Sequence, residues 1–380
     1  MLRILIIFLS LLLSLGLFAE KYFPFVKESI ISILFVYVLV KKENYSELKE
    51  KIKDAFPLIF ILILFIVLGA FLPYYLDGES VINLKFLIAI LFFVILSTFF
   101  STNPQLVQIS LIMFGIGAGL LSIFFSFGIL GESTYEIRND RLFLLGENPN
   151  SLSVRVSLGI LFLISGTIEN GLKISKIKRI LLLVPVPFMF NLILASGSKG
   201  SFLLCISSVA IYLLFLKNVS RWVKTFIIFV SIIIFFIALS FFFQSTLYDR
   251  FLNSDLTTGR SDIWEKALGI FFDNPMGVGE VGYKIEIYRR IGKIIDTHNL
   301  FLYLLVTGGF LSLFAFLYFL YRMFLGTFRK YKNEKNIVNL VIFFSMIFVM
   351  SKTGGVLTYL IMWYFFACIN NSSVTKKITP

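Results

Sequence analysis

Apolar runs of about 17 to 23 residues recur from one end of this chain to the other, and a helix of that length matches the hydrocarbon thickness of a bilayer. Unpaired amides are costly in lipid, so segments of this kind fold as helices that pair their backbone groups internally. Of 380 residues, 58% are hydrophobic and only 15% charged, which is more apolar surface than one soluble core can bury. The pattern predicts an all-α, polytopic integral membrane protein forming one domain over residues 1–380, with about twelve transmembrane helices. The expected cores are Leu2 to Phe18, Pro24 to Val40, Pro57 to Leu76, Phe86 to Phe100, Leu106 to Phe127 and Leu152 to Ile168. They continue with Ile180 to Ala195, Phe202 to Leu216, Thr225 to Phe243, Leu300 to Tyr321, Ile337 to Met350 and Val356 to Ile369. A cleaved leader would account for Leu2 to Ala19 alone.

Charge orients these spans. Basic residues concentrate in every second connection, at Lys41 to Lys53, Lys173 to Arg179, Lys217 to Lys224, Arg322 to Lys335 and Lys376-Lys377. By the positive-inside rule these connections and both termini are expected to be cytoplasmic. The net charge of +13 is thereby explained by topology and anionic lipid headgroups, and a nucleic-acid partner is not expected. Cys205 and Cys368 lie inside apolar spans without metal-ligand spacing and read as packing residues. The segment Lys41 to Asp54 alternates acids and bases with a period suited to a short cytoplasmic helix.

One long extracytoplasmic (periplasmic) loop, residues 244–298, is the extramembrane piece large enough to hold a site, and it is expected to bear short helices. It carries Tyr248-Asp249-Arg250 and Thr257-Thr258-Gly259-Arg260, then a stretch amphipathic at Ile263, Trp264, Ala267, Leu268 and Phe271. That apolar face is expected to lie down on the membrane, so that the loop covers a lipid-linked substrate. Asn274-Pro275-Met276-Gly277-Val278-Gly279 follows. The glycines suit a tight turn rather than a P-loop, since no Lys-Ser or Lys-Thr pair follows and no strand precedes. At the end of the loop stands His298, the chain's only histidine, in Asp296-Thr297-His298-Asn299. Imidazole is the side chain whose ordinary pKa suits proton transfer near neutrality. Arg155, one turn inside a span, either faces a cavity or reaches up to water.

Arg260 with Trp264, Asn274 to Gly279, His298-Asn299 and Gly309 together resemble the shared core of the bacterial O-antigen ligase and O-antigen polymerase superfamily. Ser196-Gly197-Ser198-Lys199-Gly200-Ser201 resembles that family's Ser-Arg-Gly turn, and Gly146-Glu147-Asn148-Pro149-Asn150 its Asn-Pro-Asn turn. The resemblance covers residues 135–315, while the first five spans match only in being hydrophobic. Two positions depart from the pattern: Lys199 stands where Arg is usual, and Ser312 stands where a small residue is expected three positions after Gly309. Lysine keeps the charge and loses the two-pronged donor geometry.

The resemblance implies glycosyl transfer on the periplasmic side, from an undecaprenyl-diphosphate-linked glycan to a sugar hydroxyl, with inversion. His298 would take the acceptor's proton, and Arg260 and Lys199 would hold the departing diphosphate, with Arg138, Arg141, Arg289 and Arg290 as further candidates. Asn299, Trp264, Gly277, Gly279 and Gly309 support the motif. No cofactor is required, and outer acids such as Asp249, Asp255, Asp262, Glu280, Glu286 and Asp296 show no spacing that demands a metal. The acceptor is either a second lipid-linked glycan, making a polymerase, or lipid A core, making a ligase. The compact chain and short His-bearing loop favour the polymerase, which could work with a chain-length regulator. A polytopic transporter or lipid flippase is the alternative of another class, though here the polar residues gather at one face instead of deep within several spans.

Overall fold

A computed structural model describes residues 2–76, 83–138, 141–168, 175–216, 260–352 and 356–371, together with Thr225, Phe229 and Tyr248. The expected Thr225 to Phe243 span and the loop motifs at 249–259 lie outside the described residues, those single positions apart. Helices are α1 (Leu2–Leu15), α2 (Leu17–Tyr22), α3 (Val26–Val40), α4 (Tyr45–Phe71), α5 (Leu84–Thr102), α6 (Gln105–Ser126), α7 (Pro149–Ile168), α8 (Lys176–Leu181), α9 (Val186–Ala195) and α10 (Lys199–Phe215). After the loop's first part come α11 (Arg260–Asp273), α12 (Gly279–Ile291), α13 (Leu300–Glu334), α14 (Val338–Met350) and α15 (Leu360–Ile369). Among the described residues, 6 helical stretches are long and apolar enough to cross a membrane: Lys42–Phe71, Leu84–Thr102, Gln105–Ser126, Pro149–Ile168, Ile177–Ala195 and Leu300–Glu334. Four shorter apolar helices, Leu2–Leu15, Lys199–Phe215, Val338–Met350 and Leu360–Ile369, occupy other expected spans.

The helices depart from expectation at three places. Pro57 does not open a helix but lies inside α4, which absorbs most of the charged Lys41 to Asp54 segment and ends at Phe71. Helix α13 runs 35 residues, well past Tyr321, and leaves helical geometry at Gly309. A two-stranded antiparallel hairpin, β1 (Tyr135–Arg138) and β2 (Arg141–Leu144), interrupts the all-α pattern. Its alternation explains it: Leu142 and Leu144, two apart, are buried on one face.

The chain divides into two compact units, the first comprising Met1–Ile33, Asn103–Ser254 and Tyr331–Ser345. Here α7 packs on α6, α9 and α10, and α1 packs on α6. Small residues allow the close approach, since a Cβ on Gly115 would stand 2.9 Å from the Gly159 carbonyl oxygen and one on Gly159 would stand 2.7 Å from Met189 Cε. Arg155 does not reach water. Its side chain is 3% exposed and forms a two-pronged ion pair with Glu147, itself 7% exposed. Gly16, in left-handed backbone between α1 and α2, lies against that guanidinium so closely that a Cβ would strike it.

The second unit comprises Leu34–Thr102, Asp255–Lys330 and Met346–Pro380. Helix α5 is its central element, covered by α4 and α15. Phe86, Phe93, Phe319, Trp363 and Phe366 meet edge to face or tilted with ring centroids 5.4–6.3 Å apart. The Trp363 indole N–H donates to the Leu357 carbonyl at 2.8 Å. At the other end of α4, Lys51 Nζ donates to the Asn370 carbonyl (2.7 Å), and Arg322 pairs with Asp54 (2.7 Å).

The ion pair in the first unit yields a stability prediction. Removing one partner, as in Glu147→Gln or Arg155→Met, strands a buried charge or its donors and should cost about 3–5 kcal/mol. The double substitution Glu147→Leu with Arg155→Met should recover most of that loss. Thermal unfolding midpoints in detergent check both, and equal losses in single and double variants would contradict the pairing.

Candidate active site

The candidate residues fall in both units, and each group is built by its own turns. In the first unit, Ser198 caps α10 by accepting from the Ser201 N–H (3.4 Å), which sets Lys199 in the first turn of that helix. The Ser198 hydroxyl also donates to Asn150 Oδ1 at 2.9 Å, and the Ser153 hydroxyl bonds Ser201 Oγ at 2.8 Å. The two motif turns are therefore one hydrogen-bonded structure. Arg141 joins it, donating to Asn150 Oδ1 (2.7 Å) and to the Ser196 carbonyl (3.4 Å). Arg138, opposite Arg141 in the hairpin, points elsewhere: it is exposed, paired with Glu136, with its guanidinium 5.6 Å from the Phe143 ring centroid. The Glu136 carboxyl is held below the usual carboxylate range by that hydrogen bond.

In the second unit, the histidine turn is gripped from several sides. His298 is half-buried with φ 51°, a left-handed backbone uncommon outside glycine. Its N–H donates to Asp296 Oδ1 at 2.7 Å. Thr297 Oγ1 donates to the Asn299 carbonyl (2.8 Å), and Asn299 Oδ1 accepts from the Leu302 N–H (3.2 Å), capping α13. From α11 the Trp264 indole N–H donates to the Thr297 carbonyl at 2.8 Å. From α12 the Tyr283 hydroxyl donates to the Ile295 carbonyl at 2.7 Å. Trp264 thus acts by holding the turn.

The apolar face of α11 does not lie free as a membrane-facing stripe. Ala267 and Ile270 are fully buried and, with Trp264 and Phe271, pack against Val278, Tyr283 and Ile287 of the α12 region and Leu302 and Val306 of α13. Leu268 of the expected face is exposed. The glycine motif explains how α12 meets α13. Gly309 breaks α13 with φ 63° and ψ −166°, and the Val306 carbonyl accepts from the Val278 N–H at 3.1 Å. A Cβ on Gly277 would stand 2.5 Å from Gly309 N, and one on Gly309 would stand 2.5 Å from the Pro275 carbonyl oxygen. Two backbones touch where no side chain fits. Gly279, also at positive φ, lies against Leu68 and Gly69 of α4.

Among the cations of this unit, Arg289 donates to Glu286 (2.7 Å) and Arg290 pairs with Asp273, so both are committed to carboxylates. Arg260 makes no such pair among the described residues, its guanidinium donating to the Lys352 carbonyl at 3.0 Å. Burial lowers its pKa while the Asp296 charge opposes that fall. The His298 pKa is lowered from its ordinary value by burial first, with Asp296 opposing and the positive charge of Arg260 adding to the fall. Arg260, Asp296 and His298 therefore form one electrostatic group, in which burial and Arg260 favour the neutral imidazole and Asp296 opposes them. Asp296 is the residue whose role sequence reasoning missed, although its place two residues before the histidine is the spacing at which an Asp side chain bonds a backbone N–H. Among the described residues no three His, Cys, Asp or Glu side chains gather as a metal site.

Residues 185–317 match the family described as O-antigen ligase. The matched segment contains Lys199, Arg260, Trp264, Gly277, His298 and Gly309, and it supports the O-antigen ligase and polymerase superfamily that the motifs resemble. No curated protein matches the chain.

The backbone contact at Gly309 makes a testable demand. Gly309→Ala adds a Cβ that collides with Pro275 and Met276 in a left-handed conformation, and should cost more than about 1–3 kcal/mol from strain alone. Gly326→Ala on the same helix meets open space and should be neutral or stabilising by up to about 1 kcal/mol. Unfolding midpoints of the two variants, measured side by side, decide it.

Proposed function

We propose that this chain of the O-antigen ligase and polymerase superfamily is a periplasm-facing membrane glycosyltransferase that moves an undecaprenyl-diphosphate-linked oligosaccharide onto a sugar hydroxyl. The observation that carries the reading is the half-buried imidazole of His298, held in a strained turn and sharing electrostatic interactions with Arg260 and Asp296. In the transfer, the acceptor oxygen bonds to the anomeric carbon as that carbon's bond to the diphosphate oxygen breaks. The hydroxyl proton passes to His298, and the negative charge gained by the diphosphate falls to Arg260. Attack opposite the leaving group inverts the anomeric centre. No cofactor enters this scheme. In this scheme cationic side chains take the part that a divalent ion would play at the diphosphate. Lys199 is the first unit's candidate for a phosphate, as a point charge at a helix start.

A polymerase, joining two lipid-linked glycans, is the favoured form, on the short histidine-bearing loop and the compact chain. The ligase reading, with lipid A core as acceptor, draws on the description of the matched family. Lipids extracted from a deletion strain separate them: single-repeat surface glycan indicates the polymerase, and full-length polymer stranded on its carrier indicates the ligase.

Purified protein mixed with lipid-linked repeat units should lengthen the glycan in chelator as well as in Mg²⁺. His298→Ala should lose about 10²–10⁴-fold in turnover. Unchanged product from that variant would refute the base, and activity lost to chelator and restored by Mg²⁺ or Mn²⁺ would refute metal independence. The base must be unprotonated to work, and burial and Arg260 hold the histidine below its ordinary pKa. The acid limb of the rate should therefore have its midpoint below 6.5, the ordinary value. A kcat/KM profile that declines from above pH 7 would contradict the assignment.

A further inference from the structure

Asp296 has two separable relations to His298. The first is geometric: Oδ1 accepts the His298 N–H at 2.7 Å, which ties the residue in left-handed backbone (φ 51°) to the start of its own turn. The second is its charge, which is shared with Arg260 of α11 and felt by Tyr283 of α12. The other backbone groups of the turn are held by neutral donors, Tyr283 at Ile295, Trp264 at Thr297, and Thr297 at Asn299. A neutral acceptor would also satisfy the His298 N–H, though more weakly, and would bring no charge to the group shared with Arg260.

We propose that Asp296 is the positioning residue of this site: its carboxylate fixes the His298 turn through the backbone N–H and sets a negative charge against the positive charge of Arg260. This deepens the transferase reading and rests on it for its functional meaning. Without Asp296 the imidazole would face Arg260 with no counter-charge, and a proton taken from the acceptor would sit beside a guanidinium alone. With it, the protonated imidazole formed during transfer is stabilised. The groups that share the Asp296 charge, by element, are His298 on the turn itself, Arg260 of α11, Tyr283 of α12 and Tyr303 of α13. The Tyr283 hydroxyl is pushed up by burial and by Asp296, so it stays protonated and adds no charge.

Because the chain has 1 histidine, ring-labelled protein gives one imidazole signal, which can be titrated by NMR in detergent without any substrate. Asp296→Asn keeps an oxygen acceptor and removes the charge. Its imidazole midpoint should move to lower pH, while its unfolding midpoint should fall less than that of Asp296→Ala. Arg260→Gln should move the imidazole midpoint the other way. Asp296→Ala removes both relations, and should lower the imidazole midpoint, lower the unfolding midpoint and reduce kcat/KM on the order of a hundredfold through misplacement of the base. The acid limb of kcat/KM in Asp296→Asn should track its NMR midpoint. An imidazole midpoint unmoved in Asp296→Asn overturns the proposal, as does an Asp296→Ala protein with wild-type stability and turnover. Should Asp296→Ala not fold, Asp296→Asn still tests the charge and Asp296→Ser, with a shorter acceptor, tests the geometry. The two readings fail separately: midpoints that shift as expected with turnover indifferent to His298→Ala would sink the transferase reading alone. Turnover that needs His298, with a midpoint blind to Asp296→Asn, would sink the role of Asp296 alone.

Discussion

The hydrogen bond from the Val278 N–H to the Val306 carbonyl is the join on which the second unit's site depends. In an unbroken helix the Val306 carbonyl would accept from the amide four residues on. Gly309 leaves helical geometry just before that amide, and the freed carbonyl is taken by a loop that can approach only because Gly277 and Gly309 lack side chains. Everything from α11 to the histidine turn then has a fixed reference. Helix α12 packs beside α11, Tyr283 and Trp264 reach the turn between Ile295 and Asn299, and Asn299 starts α13. The glycines, the tryptophan and the histidine are one mechanical assembly although they are spread over about fifty residues.

Electrostatics works differently in the two units. The buried charge of the first, Arg155, is matched by Glu147 in two-pronged contact, an arrangement that neutralises it and holds the Gly146 to Asn150 turn to the start of α7. Charges near His298 are left incompletely matched. Arg260 gives a hydrogen bond to a backbone carbonyl and shares Asp296 with the imidazole, whereas Arg289 and Arg290 are each satisfied by a carboxylate. A cation already paired must break that pair to receive a diphosphate; one that is half-buried and shares its acid can gain an anion at smaller cost. That difference singles out Arg260 from the arginines of its unit.

Much of this was legible in the sequence. Length and hydropathy marked the apolar segments at which helices are found, because in lipid a helix is almost the only way to satisfy a backbone. The lone histidine stood out as the candidate base because chemistry at neutral pH calls for few residue types, and the Gly-Val-Gly and Gly-Gly pairs stood out for close backbone contact, which is found between Gly277 and Gly309. What stayed hidden depends on three-dimensional partners. Pro57 reads as a helix start but sits inside α4, and the exposed-looking face of α11 is covered by α12 and α13. Arg155 could not be told from a snorkelling side chain without knowing that Glu147, eight residues earlier, folds back onto it. The role of Asp296 was hidden for the same reason: a carboxylate two residues before a histidine is informative only once the backbone between them is known to turn.

The strain at His298 follows from these contacts. A non-glycine residue in left-handed backbone costs on the order of 1–3 kcal/mol, and the surrounding hydrogen bonds must overdetermine the turn for it to persist. Here four side chains, Asp296, Thr297, Trp264 and Tyr283, each bond a backbone group between Ile295 and Asn299. Three of those bonds come from neutral donors, and each contributes about 0.5–1.5 kcal/mol, with the bond to the carboxylate nearer 1.5–3 kcal/mol. Together they exceed the strain, so the backbone that carries the imidazole is fixed by the fold itself. If His298 is the base of the proposed transfer, a turn held in this way limits the orientational freedom lost when an acceptor hydroxyl binds, which is where a preorganised site gains its rate.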